Sequence, residues 1–414
     1  MAHLCLAEYE KRAGVALSLD DVAALRTGRA YESGAVTVAP SAEPGHYDLT
    51  ASSWVGVVNA GTLTLEIRPK LPIGRLLFLL SYHMDPKFWW DIPFDYDERA
   101  SLFEAVIPGF VFQVRRALQR GPLQGYRVEE DTLSIVRGRI RVADQVRRHF
   151  GIAPPIEVEY HEFTEDILEN RLIKAAIARL GRLRIRAAES RRSLREFDQV
   201  LERVTLVPFD IRALPAVLYT RLNEHYRPAV ELARLILRST SFELAAGGVR
   251  SASFLVDMNQ VFEDFVVTAL REALGVSEQT FPQGASGLYL DVDRLLPLLP
   301  DISWWENGRC VFVGDVKYKR LLTAAGQNSD VYQLLAYTVA ADLPGGLLIY
   351  ARGEAEQALH RIVNAGKELQ VVALDLEVSP DDILRQIEAV ADRIRDLKDR
   401  AGNQRSMAVA LGTA

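Results

Sequence analysis

Cysteine is almost absent: the 414 residues contain two, Cys5 and Cys310, far apart in the chain. That excludes a disulfide framework and points to reduced thiols in a cytoplasmic protein. Histidine is scarce too, and its seven copies show no zinc-like spacing. No apolar run reaches the ~20 residues of a membrane helix and no signal peptide is recognisable, so no membrane association is expected. A Gly-rich phosphate loop ending in Gly-Lys-Ser/Thr is also missing, so the chain is expected to bind no nucleotide itself. Strong positive charge is lacking as well. The net charge of −6 does not announce a nucleic-acid binder, although its distribution matters more than its sum. What is plentiful is apolar surface: 49% of residues are hydrophobic, enough for a large core, and the length suits two or three domains.

The most informative stretch is Leu298 to Tyr337. An apolar run ends at Pro300-Asp301, and Ile302 to Trp305 follow. Glu306-Asn307-Gly308-Arg309 then supplies turn chemistry, and Cys310 to Lys319 carries Asp315, Lys317 and Lys319. The run 310–316 is short, β-branched and bounded by turn residues, as in a buried strand. Strand alternation puts Asp315 and Lys317 on one face. A hairpin through 306–309 would bring Asp301 beside Asp315. Two carboxylates at the mouth of a buried sheet repel unless a cation lies between them, and oxygen ligands suit a hard ion such as Mg2+. Such an ion lowers the pKa of a water and neutralises phosphoryl charge, while Lys317 could orient the water or stabilise developing charge. The plainer reading is a strand-end ion pair with Asp301 in a turn. The ordered set of Pro-Asp, hairpin, Asp-x-Lys and a helix with Gln333 and Tyr337 favours the catalytic one. Their spacing of four places Gln333 and Tyr337 on one helix face.

Elsewhere, Leu17 to Arg29 reads as a helix capped by Ser18 or Asp20, and Ser53 to Val58 with Thr62 to Lys70 as a β-hairpin. Helical patterns cover 75–82, 97–120, 164–186 and 213–237, the last broken by Pro228. Strands are expected at 126–130 and 132–141. The middle third is basic, with Arg171, Lys174, Arg179, Arg182, Arg184, Arg186, Arg191, Arg192 and Arg195 against Glu189 alone. This reads as a phosphate-backbone surface or as a solvated helix face, and a neighbouring nuclease-like site favours the first. The Gly247-Gly248 region marks a plausible boundary. The expected architecture is α/β and multidomain: a β-rich domain over 1–96, a mainly helical basic region over 97–250, an α/β domain over 251–400, and a weakly ordered tail over 401–414.

The Asp301, Asp315, Lys317, Gln333, Tyr337 set resembles the PD-(D/E)xK nucleases, in their RecB-like branch. That resemblance implies a restriction-endonuclease-like C-terminal domain. It also implies metal binding by Asp301 and Asp315, water assistance by Lys317, and a further acidic ligand on an earlier helix, here Glu263. The whole chain is similar to the McrC family, the nuclease subunits of McrBC-type modification-dependent restriction systems. This rests on Gly56 to Lys70, Arg137-Gly-Arg-Ile140, Glu165 to Asn170, Met258 to Phe265, and the Asp301 and Asp315 blocks. The family implies a Mg2+-dependent endonuclease acting on double-stranded DNA, modified in that family. It also implies an N-terminal region that docks a McrB-like AAA+ GTPase hexamer and stimulates its hydrolysis of GTP, the nucleotide being the partner's. The hairpin tip Ala60 to Thr62 and the segment 84–96 with Trp89-Trp90 are candidate contacts for that partner. Two other readings are a non-catalytic GTPase-activating adaptor on a nuclease-like scaffold and a stand-alone RecB-like repair nuclease.

Overall fold

The computed structural model describes residues 2–26, 29–84, 102–183, 185–211, 213–244, 250–284, 287–319, 328–351 and 358–412. The short alternating segments at the start become β1 (Ala2–Ala7), β2 (Lys11–Ala16), α1 (Leu19–Arg26), α2 (Arg29–Glu32), β3 (Val36–Pro40), β4 (His46–Ala51), β5 (Trp54–Ala60) and β6 (Leu63–Arg68). Ser18 caps α1 reciprocally: its hydroxyl accepts from the Asp21 N–H at 3.1 Å and donates to the Asp21 carboxylate at 2.6 Å. β2, β4 and β3 form one antiparallel sheet, and β1, β6 and β5 begin another. Leu65 and Ile67 share the buried face that alternation predicts. The tip of the β5–β6 hairpin is tied down, because the Thr62 N–H donates to Asp21 at 2.9 Å.

The middle of the chain contains α3 (Ile73–Met84), α4 (Leu102–Ala117), β7 (Gly125–Leu133), β8 (Arg139–Ile140), α5 (Val142–His149), β9 (Ile156–Thr164), α6 (Leu168–Leu180), α7 (Ala188–Val200) and α8 (Arg227–Ser239). It is less helical than expected, because β7, β9 and β8 form an antiparallel sheet. β7 runs unbroken through residue 131, paired with β9 from Gly125↔Thr164 to Leu133↔Ile156. Of the second expected strand, Thr132 and Leu133 complete β7, and Arg139 and Ile140 pair with β9 as the short β8. The helix expected from Thr164 begins at Leu168, since Asp166 is engaged before it. Asp166 accepts from Arg127, Arg171 and Thr205, and hydrogen bonds from Arg171 and Thr205 hold its carboxyl far below the usual range against the opposing effect of burial. Pro228 starts α8 instead of breaking a helix, in the first turn where its missing N–H costs nothing. Part of the basic run is internal bracing: Arg171 pairs with Asp166, and Lys174 donates to the carbonyls of Leu201, Glu202 and Val204. Arg192 and Arg195 remain exposed. Trp89-Trp90 and the start of the expected 97–120 helix lie outside the described residues.

β10 (Thr240–Leu244) and β11 (Arg250–Asp257) complete the N-terminal sheet, whose order is β1-β6-β5-β11-β10. β11 pairs with β5 from Ser251↔Ala60 to Asp257↔Trp54, so the expected division at 250 falls inside this sheet. Gly56 allows the close approach: its φ is +137°, and a Cβ there would lie 2.0 Å from the Phe254 carbonyl oxygen. α9 (Met258–Leu274) leads to β12 (Leu288–Tyr289), β13 (Pro297–Leu298), β14 (Ile302–Glu306), β15 (Arg309–Lys317), α10 (Asn328–Ala340), β16 (Gly345–Ala351), β17 (Ala358–Ile362), β18 (Lys367–Leu374) and α11 (Pro380–Gly412). α11 continues through most of the expected tail. The second large sheet has the order β14-β15-β16-β18-β17, with a parallel centre and antiparallel edges. Its first hairpin turns through Asn307 (φ 50°) and Gly308 (φ 77°), as a two-residue Asn-Gly turn should. Phe312 and Val316 pack with α9 and α11, while Val313 packs with Leu334 of α10. Asp315 and Lys317 therefore share the α10 side.

Candidate active site

The hairpin register Ile302↔Gly314 sets Asp301 beside Asp315, as the sequence pattern requires. Asp315 is fully buried. Lys317 Nζ lies 2.6 Å from Asp315 Oδ2 and 3.5 Å from Asp301 Oδ2, which also accepts from the Val316 N–H at 2.8 Å. Among the described residues neither Asp315 oxygen accepts a well-directed hydrogen bond, the Lys317 contact being an ion pair without that alignment. Burial and the Asp301 charge push the Asp315 carboxyl up to about 8, against the pull of Lys317. Burial works against the Lys317 ammonium, yet Asp315 and Asp301 outweigh it and hold its pKa up at about 12. One ammonium faces two carboxylates: Asp315 is fully buried, while Lys317 and Asp301 each keep about a fifth of their side-chain surface open to solvent. A hard divalent cation fits this donor set, because it would bind the Asp315 carboxylate, whose one neighbouring cation among the described residues is shared with Asp301, and offset the excess negative charge.

Glu263 stands on α9 at the margin of this cluster. Its Oε1 accepts from Gln283 at 2.9 Å, and burial, reinforced by Asp301, raises its pKa. Among the described residues no three His, Cys, Asp or Glu side chains converge closely enough to hold an ion, so Glu263 is near the aspartates but not joined to them. Its neighbour Asp264 turns toward His83, 3.8 Å away. Gln333 and Tyr337 are linked to each other at 2.5 Å, and the Tyr337 hydroxyl donates to the Leu299 carbonyl at 3.1 Å. Burial pushes the Tyr337 phenol up to about 12, with the Asp315 charge adding to the effect. This pair braces the loop that delivers Asp301. Sequence reading missed Gln283 and the buried Asp330, which accepts from Tyr350 at 2.7 Å and Lys319 at 3.3 Å. The position of Asp330, three residues before Gln333 on the same helix, was the available signal.

A second buried carboxylate joins the two large sheets. Glu8, just after β1, accepts from the Tyr318 hydroxyl and the Lys70 N–H, both at 3.3 Å, and its other oxygen has no donor among the described residues. Burial pushes its pKa up to about 7; Lys70 and Tyr318 oppose this and Asp257 adds to it. Tyr9, beneath the Lys70 ammonium, is the other titratable neighbour. A carboxyl whose pKa is raised on folding binds its proton more tightly in the folded state. Its contribution is full below the unfolded value of 4.5 and is lost as pH climbs to about 7. Glu8→Gln is therefore expected to flatten the stability profile over that window and to stabilise the protein by about 3 kcal/mol above it. Urea unfolding of both proteins at pH 5 and pH 8 checks this; an unchanged difference between them would refute it.

The fold and the site together define an α/β protein with a buried acidic centre suited to a divalent cation. The chain belongs to the McrBC family: the model of the McrBC 5-methylcytosine restriction system component matches residues 49–351, more than half its length and all the site residues above. Its fold is similar to a chain of the refined half-complex from a tetradecameric assembly of Thermococcus gammatolerans McrB AAA+ hexamers with bound McrC. That match has a TM-score of 0.57 and 19% identity, and covers 95% of this chain and 100% of that one. A chain of the cryo-EM Thermococcus gammatolerans McrBC complex aligns over 66% of this chain and 88% of its own, at 22% identity and a TM-score of 0.39. No curated protein sequence matches the chain. No helix among the described residues is long and apolar enough to cross a membrane.

Proposed function

We propose that the chain is the Mg2+-dependent DNA endonuclease subunit of a McrBC-like restriction complex, with a PD-(D/E)xK nuclease domain. The carrying observation is Asp315: a fully buried carboxylate with undirected oxygens, beside Asp301 and Lys317. Asp301 and Asp315 would hold the ion, with Glu263 as the nearby third carboxylate. When bound, Mg2+ lowers the pKa of a water and neutralises charge on the phosphoryl group. Lys317 orients that water and stabilises the charge that develops in the transition state. Gln333 and Tyr337 act one step back, by fixing the loop before Asp301.

The partner in this reading is a McrB-like AAA+ GTPase hexamer, and GTP is bound there. We place the docking surface on the β7–β9 sheet, not on the pinned tip Ala60 to Thr62. Tyr126 and Phe163 face each other across that sheet with ring centroids 5.1 Å apart, yet are 75% and 58% exposed. Val128, two residues along β7 on the same face, is exposed too, and Ile135, Val136 and Phe150 are exposed beyond the opposite end of the sheet. Exposed Arg192 and Arg195 offer contacts for the phosphates of modified double-stranded DNA.

The test is plasmid cleavage by the purified chain, alone and with its AAA+ partner, on methylated and unmethylated DNA with Mg2+ and GTP. Cutting that needs partner and GTP, and is lost in Asp301→Ala and Lys317→Ala, is expected. Cutting without a partner would favour the stand-alone nuclease. Accelerated GTP hydrolysis with no cutting would favour the adaptor.

A further inference from the structure

The Phe281-Pro282-Gln283-Gly284 segment is rooted between α9 and the free edge of β14. Phe281 is fully buried and stacks on Phe312, with ring centroids 6.5 Å apart and planes 10° from parallel. Its carbonyl accepts from Arg271 of α9 at 2.8 Å. Gln283 bridges Ile302 in antiparallel fashion, and the Gly284 N–H donates to the Asp301 carbonyl at 3.3 Å. The backbone of Gln283 is thus fixed to the loop carrying Asp301.

Its side chain reaches the other way. The amide nitrogen lies 2.9 Å from Glu263 Oε1 and 2.8 Å from Asp264 Oδ1. Adjacent helical residues splay by about 100°, so one carboxamide reaching both carboxylates fixes the orientation of each. A carboxamide also suits this task chemically. It has two N–H donors and no charge, so it supports a carboxylate without cancelling the negative charge that a cation requires. Asp264 has further partners in Gln260, at 2.8 Å, and His83. For Glu263, Gln283 is the side-chain donor found among the described residues.

We propose that Gln283 is a positioning residue that ties the Asp301 loop to Glu263 and presents that carboxylate to the metal. This rests on the nuclease reading and adds a residue to its site. A partner that orients a metal-binding carboxylate affects metal affinity by roughly 10–100-fold. Gln283→Met keeps the length of the side chain and removes both donors.

The test is a calorimetric titration of Mn2+ into the full chain without DNA, together with the Mg2+ dependence of cleavage in the complex. Gln283→Met is expected to weaken Mn2+ binding and raise the Mg2+ half-saturation by roughly 10–100-fold, with kcat at saturating metal within about threefold of wild type and an unchanged melting temperature. In a Glu263→Gln background the same substitution should add no further loss, because its effect passes through Glu263. Gln283→Ala serves as the second variant if the methionine perturbs folding. Unchanged Mn2+ affinity in a folded Gln283 variant, or a full additional loss in the Glu263→Gln background, would overturn the proposal. Asp301→Asn separates the two levels. If it also leaves Mn2+ binding intact, the nuclease reading itself fails; if it abolishes binding while Gln283→Met does not alter it, only the role of Gln283 fails.

Discussion

Asp315→Asn should lose DNA cleavage by about a thousandfold or more and yet melt at a higher temperature than the wild-type protein. Both effects follow from one feature. Asp315 is fully buried beside a second carboxylate, and its carboxyl is pushed up to about 8. Keeping an ionisable acid there opposes folding in the absence of metal, because the unfolded chain ionises it freely at neutral pH. An amide of the same shape removes that cost, so the metal-free variant is expected to be more stable at pH 7. Lys317 keeps Asp301 as a neighbour at 3.5 Å, so the ammonium is not stranded. The same substitution removes the charge that makes the site attractive to a cation. Calorimetric melting without metal and cleavage rates in the complex measure the two effects. A variant that cuts at a rate within tenfold of wild type would take Asp315 out of the chemistry. One that melts lower would show that the buried charge is not the liability argued here.

Replacing Tyr126 and Phe163 together by aspartate should weaken assembly with the AAA+ partner by about a hundredfold or more and abolish stimulation of its GTPase, with the fold intact. The two rings pack against each other across β7 and β9 and are largely exposed to solvent, so the unbound protein depends little on them. Buried in an interface, the introduced carboxylates would have to be desolvated without partners. Gel filtration with the partner and a GTP turnover assay provide the readouts. Thr62→Ala is the matched control: this residue is already committed to Asp21, and its loss should leave assembly unchanged. Normal assembly by the double variant would move the docking surface elsewhere.

The site was legible where its geometry is local. An Asn-Gly turn, an alternating strand and a fixed register are encoded within 17 residues, so Asp301, Asp315 and Lys317 could be placed together from the sequence. The spacing of Gln333 and Tyr337 correctly put them on one helix face. It could not reveal that they bond to each other and to the Leu299 carbonyl, which makes them braces. Gln283 was invisible because its partnership with Glu263 spans 20 residues and two different elements. Glu8 and Tyr318 meet across 310 residues. The same limit explains β11. Its Ser-Ala-Ser opening, after a glycine pair, resembles a linker, and only the distant pairing with β5 shows that it is a sheet strand.

That strand bears on how proteins of this kind can be recombined. β11 passes directly into α9, and Asp257 at the joint caps the helix by accepting from the Asn259 N–H at 3.0 Å. Ser53, just before β5, donates to Asp257 at 2.9 Å and accepts from Asn259 at 2.8 Å. A chimera spliced near residue 250 would ask one parent's β5 to zip onto another parent's β11, and a foreign serine to hold the start of the helix that bears Glu263. The C-terminal α/β portion is therefore not an exchangeable cassette at that point. Its first strand is on loan to the sheet built by the other end of the chain, and swaps between relatives must carry β5 and β11 as a matched pair.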